Sequence, residues 1–122
     1  MLAGKREPRI LVAYGSGVLA TAVERRLGST AKVELVPVAG RARRVRLRLR
    51  LHLGGQCDAV VTDPFLTELE RRRVRDAVAS VPRPPALVHI RDAAGAVEAD
   101  VESWGERESA DVLEGVVAAL TR

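Results

Sequence analysis

The sequence predicts a three-layer α/β fold around a mainly parallel sheet of about five strands. Three observations predict it. Short apolar runs, "RILVAY", "DAVVTD" and "PALVHI", read as strands buried on both faces. Stretches of helical period lie between the strands, the order that builds parallel sheets with helices on both sides. Hydrophobic residues make up 47% of the 122 and aromatics only 2%, so the core is aliphatic. The length suits one domain, taken as residues 1–122, with residues 1–8 as a flexible N-terminal tail.

The elements follow in order. Arg9–Tyr14 is the first strand, and "GSG" breaks it. Leu19, Val23 and Leu27 then recur every four residues, as on a helix that stops at Gly28. "KVELVPV" is the second strand, and Pro37 places its end near the sheet edge. "DAVVTD" is the third strand. Pro64 suits the start of the next helix, whose apolar stripe is Leu66, Leu69, Val74, Ala77 and Val78, with "RRR" outside. "PALVHI" is the fourth strand. In "AVEADVESW", Val97, Ala99 and Val101 alternate with Glu98, Asp100 and Glu102, the pattern of a half-exposed edge strand, with an antiparallel direction open to it. Ser109 caps a last helix carrying Val112, Leu113, Val116, Val117 and Leu120.

"RARRVRLRLRLHLGG", residues 41–55, alternates like a strand but is composed like a helix. As a strand hairpinned to the second, it would leave only "GGQC" to reach the third, about 14 Å at most. As a helix it is an ordinary right-handed crossover stopped by Gly54, and a helix is expected. At about 100° per residue, Ala42, Val45, Leu49 and Leu53 form one stripe, and Leu47 and Leu51 lie on the far side. Two readings are open: arginine stems cover Leu47 and Leu51, or a second chain does. The second is favoured, giving a homo-oligomer contact centred on Leu47 and Leu51 with Arg44, Arg48 and His52 at its rim.

Charge is unevenly spread. Ten arginines fall between Arg41 and Arg75, and eight acids between Asp92 and Glu114, against a net charge of +4. Such a dipole steers partners. Nucleic acid could bind only through Arg41–Arg50, and the stacking aromatics that hold single strands are missing, so it is not the expected partner. One cysteine, Cys57, excludes an internal disulfide, and no His or Cys spacing marks a metal site. No signal-type segment or transmembrane run is present, so the expected location is the cytoplasm and no membrane partner is expected.

The turn "YGSGVLAT" stands where a phosphate loop belongs in such a fold. Gly15, Ser16, Gly17, Val18 and Thr21 could receive an anion at a helix N-terminus. Gly15, Gly17 and Ala20 fit G-x-G-x-x-A, but the acid expected about 20 residues on is missing. Arg41 and Arg43 follow instead and could meet a further phosphate. The ligand would be a nucleotide or phosphorylated small molecule; otherwise no cofactor is expected. The competing reading is a tight turn that packs helix on sheet. Ser16 has no nucleophile elbow around it, and His52, His89 and Cys57 carry no catalytic pattern.

The longest resemblance is to the response-regulator receiver domain, from Arg9 to Arg122. "RILVAYGSGVLATAVERRL" resembles that family's first strand and helix. "CDAVVTDPFL" resembles its third strand, with Asp63 at the phosphoacceptor position. "AAGAV" and "SADVLEGVVAAL" resemble the approach to its fifth strand and its last helix. The resemblance implies a flavodoxin-like or receiver-like fold. It also puts Tyr14 and Gly15 at the family's metal-binding acids, Ile90 at its switch hydroxyl and Glu102 near its lysine. Phosphoryl transfer to a carboxylate needs cations against the transferring charge. The implied function is therefore a pseudo-receiver: a non-catalytic regulatory or protein-interaction module, not phosphorylated at Asp63. The segment before "AAGAV" is too short for the family's fourth helix. The turn also resembles, more locally, the phosphocysteine loop of phosphotransferase IIB domains and the flavodoxin phosphate loop.

Overall fold

A computed structural model describes residues 8–28, 31–38, 57–93, 96–103 and 118. Five strands form one sheet: β1 (Arg9–Tyr14), β2 (Lys32–Pro37), β3 (Ala59–Thr62), β4 (Ala86–Ala93) and β5 (Ala96–Ser103). Their order is β2-β1-β3-β4-β5. The first four are parallel, and β5 returns antiparallel along β4. Two helices are described, α1 (Gly17–Leu27) and α2 (Glu68–Ala79). The layout is α/β and flavodoxin-like, as the sequence predicts.

Side-chain alternation explains the layers. Ile10, Val12, Ala59, Val61, Val88 and Ile90 face one way and pack with Ala20, Val23 and Leu27 of α1. Leu11, Ala13, Val60 and Leu87 face the other way and pack with Val74, Ala77 and Val78 of α2. These strand residues are almost wholly buried, which is why β1, β3 and β4 read as unbroken apolar runs. β2 lies at the sheet edge and ends on Pro37, where a missing N–H does no harm.

One boundary differs from the sequence reading. The second described helix begins at Glu68, not at Pro64. Thr67 is its N-cap: Thr67 Oγ1 accepts from the Glu70 amide at 3.1 Å, and the Glu70 carboxylate accepts from the Thr67 amide at 2.8 Å. This reciprocal box satisfies two amides that a start at Pro64 would leave open. Pro64 and Phe65 form a turn instead. Leu66 is buried from that turn, while Leu69 is 48% exposed.

The expected helix over 41–53 lies outside the described residues. With it go Arg41, Arg43, Arg44, Leu47, Arg48, Leu51 and His52. The expected last helix does too, residue 118 apart.

Candidate functional site

Two aspartates bracket β3, and both hold β1. At the amino end, the Asp58 carboxylate accepts from the Arg9 amide at 2.8 Å. At the carboxyl end, Asp63 Oδ2 accepts from the amides of Gly15 at 2.7 Å and Ser16 at 2.8 Å. Asp63 Oδ1 accepts from the Phe65 amide at 3.0 Å. Asp63 is 1% exposed. Both its oxygens are thus spent on backbone amides from two turns.

This rearranges the expected phosphate turn. An anion does sit on its amides, but that anion is the chain's own Asp63. Ser16 is the N-cap of α1, its Oγ accepting from the Leu19 amide at 3.4 Å. Thr21 donates back to the Gly17 carbonyl at 2.9 Å. Among the described residues, only the amides of Gly17 and Val18 are left without a partner in this turn. The two glycines differ. A Cβ on Gly15 would meet the Phe65 backbone at 3.1 Å, and one on Gly17 would meet nothing within 4 Å. Gly15 is there for close packing. Gly17 faces open space, beside a Val18 that is 85% exposed.

A second constellation, unforeseen from sequence, lies between α2 and the β4–β5 hairpin. β4 passes into β5 with only two residues between them, so no helix crosses here. The α2-side face of the sheet accordingly turns polar toward this edge. Thr62 follows Val60, His89 follows Leu87, and Glu98, Asp100 and Glu102 line β5. Thr62 Oγ1 bonds His89 Nδ1. His89 Nε2 lies 2.8 Å from Glu102 Oε1. Arg75 of α2 grips Glu102 with two donors, at 2.8 and 2.9 Å. Arg91 bridges to Glu98 at 3.3 Å and Asp100 at 2.6 Å. The Arg75 guanidinium, and after it His89, holds the Glu102 carboxyl down from 4.5 to about 2, against the opposing effect of burial. Glu102 raises Arg75 in turn.

The ionised Glu102 only accepts, so His89 Nε2 carries a proton and donates to it. In the neutral ring, Nδ1 then accepts from the Thr62 hydroxyl. Hydroxyl, imidazole and carboxylate stand in the order that activates a nucleophile. Thr62, however, has no exposed surface, so a substrate does not reach it. The chain acts as a clasp joining β3, β4, β5 and α2.

Above the clasp is a cleft of about 250 Å³, lined by Asp63, Pro64, Glu68, Arg71, Arg75, His89, Ile90, Arg91, Asp100 and Glu102. A cavity of about 350 Å³ lies at the opposite edge, among Arg9, Lys32, Glu34 and Cys57. Open α/β sheets bind ligands at the carboxyl ends of their strands, where the smaller cleft lies. The chain matches no family model, no curated protein and no solved structure.

The remaining sequence candidates are placed as follows. Tyr14 is partly buried against the α1-side core, and Ile90 is within it. Cys57 is buried, its thiol donating to the Ala59 carbonyl at 3.1 Å. Among the described residues, no three His, Cys, Asp or Glu side chains are grouped to hold a metal ion. No described helix is long and apolar enough to cross a membrane. The period-2 alternation of β5 and the short connection from β4 were the available signals for the His89–Glu102 contact.

Proposed function

We propose that the chain is a non-catalytic regulatory or protein-interaction module of pseudo-receiver type, acting in the cytoplasm and not phosphorylated at Asp63. The observation that carries this reading is the commitment of Asp63. A phosphoacceptor needs an oxygen free to attack and cations to receive the transferring charge. Asp63 has both oxygens on backbone amides and is buried. Its neighbours at the family's acidic positions are Tyr14 and Gly15. Incubation with acetyl phosphate and magnesium, followed by intact mass measurement, tests it. The expected result is an unchanged mass. A gain of one phosphate that disappears in Asp63→Ala overturns the reading.

A second reading keeps the turn as a binding loop for a nucleotide or phosphorylated small molecule. What favours it is the open space at Gly17 and the unpartnered amides of Gly17 and Val18. Against it, the Asp63 charge already occupies the adjoining amides. Nucleotides at millimolar concentration should leave the melting temperature unmoved. A rise that Gly17→Val abolishes establishes the second reading. Self-association through Leu47 and Leu51 also belongs to the proposal. Sedimentation of the Leu47→Gln, Leu51→Gln double variant tests it, with a shift toward monomer expected.

A further inference from the structure

Among the described residues, three large apolar side chains are exposed: Val18 at 85%, Phe65 at 64% and Leu69 at 48%. All three stand at the carboxyl edge of the sheet. Val18 is in the first turn of α1, Phe65 in the β3–α2 turn and Leu69 in the first turn of α2. The segments touch, since the Phe65 backbone lies against Gly15. Single exposed apolar residues are ordinary, but their gathering on one edge is the mark of a contact surface. Phe65 is the chain's only phenylalanine, and it is kept out of an aliphatic core that could use it.

The charge beside these residues is also unspent. Arg75 and Arg91 are matched to acids. The run Arg71, Arg72 and Arg73 is not: none of the three meets an acid among the described residues. Arg71 reaches only the Pro64 carbonyl, at 3.4 Å; Arg72 is exposed, and Arg73 is partly buried, its Nε enclosed and without a partner. At about 100° per residue, Arg72 lies about 60° to one side of Leu69 and Arg73 about 40° to the other. Leu69 is therefore an apolar spot between two unpaired cations; of the two acids on that turn, Glu70 is buried in the capping box and Glu68 is exposed.

We propose that this edge docks a protein partner through an acidic amphipathic segment, its apolar side chains on Phe65, Leu69 and Val18 and its carboxylates on Arg72 and Arg73. The inference rests on the interaction-module reading and adds the surface and the partner's chemistry. Apolar contact supplies the binding, and the arginines select the sign of the flanking charge.

The test uses the full chain, isotopically labelled, and two synthetic amphipathic peptides with one leucine face, flanked by glutamate in one and lysine in the other. The glutamate peptide should move the amide signals of Val18, Phe65, Leu69 and Arg72 and bind about tenfold tighter than the lysine peptide. Phe65→Ala should lose about tenfold, with its circular dichroism intact because the ring is exposed. Arg72→Glu with Arg73→Glu should reverse the preference between peptides. Equal binding of both peptides, signals moving elsewhere, or no binding overturns the proposal. If the same signals move on dilution without peptide, a second copy occupies the surface, and the acidic partner is wrong. The acetyl phosphate experiment decides the module reading separately: a chain that takes no phosphate and ignores both peptides loses only this surface.

Discussion

Asp63 at the end of β3 holds the amide of Gly15 at the end of β1, at 2.7 Å. The same oxygen takes the Ser16 amide, and the other takes that of Phe65. One buried carboxylate thus organises both turns at the carboxyl edge of the sheet. Charge-assisted bonds of this kind are the strong ones, and removing the acceptor leaves buried donors unmade.

The glycines of the first turn should respond oppositely. Gly15→Ala pushes a methyl against the Phe65 backbone at 3.1 Å and should cost about 1 to 3 kcal/mol. Gly17→Ala enters open space at the first position of α1 and should be neutral or stabilising by up to about 1 kcal/mol. Urea denaturation of the two variants checks this. Equal losses would mean that the turn does not pack as described.

The clasp should show in acid. The Glu102 carboxyl sits at about 2 in the folded chain, below its ordinary 4.5. Its contribution is therefore fully present above 4.5 and lost as pH falls through 2. Arg75 is 45% exposed, so solvent screens the pair and about 1 to 2 kcal/mol is expected at neutral pH. The stability difference between the unmodified protein and Glu102→Gln should hold that size at pH 7 and shrink between pH 4.5 and pH 2. A difference that does not vary over that window would place Glu102 outside the clasp.

Thr67→Ala removes one half of the capping box at α2 and should cost about 1 kcal/mol. Pro64→Ala, outside the helix, should not reduce the helical signal in circular dichroism. A larger helical loss at Pro64 than at Thr67 would restore the earlier start.

Much of the fold was legible because its signals are local. Buried strands read as apolar runs, Pro37 marked an edge, and the short segment before "AAGAV" had no room for a crossover helix. The start of α2 was misplaced because Pro64 is a common helix opener, while Thr67 and Glu70 spell a capping box that states the boundary more directly. The site was less legible. Asp63 bonds its own following turn at Phe65, a local contact of the kind a strand-end aspartate makes. Its reach to Gly15 and Ser16, 48 and 47 residues away, depends on β3 lying beside β1. His89 and Glu102 meet because of hairpin register, which no single strand encodes.

The most direct measurement of the central claim is the stability of Asp63→Ala against the unmodified chain. Acids placed for reaction are commonly held at a cost, and replacing them often stabilises a fold. An acid placed as a staple does the opposite. Loss of its three amide bonds should destabilise the chain by about 2 to 4 kcal/mol, seen as a lower denaturation midpoint with an unchanged slope. An Asp63→Ala chain as stable as the original, or more so, would contradict the account.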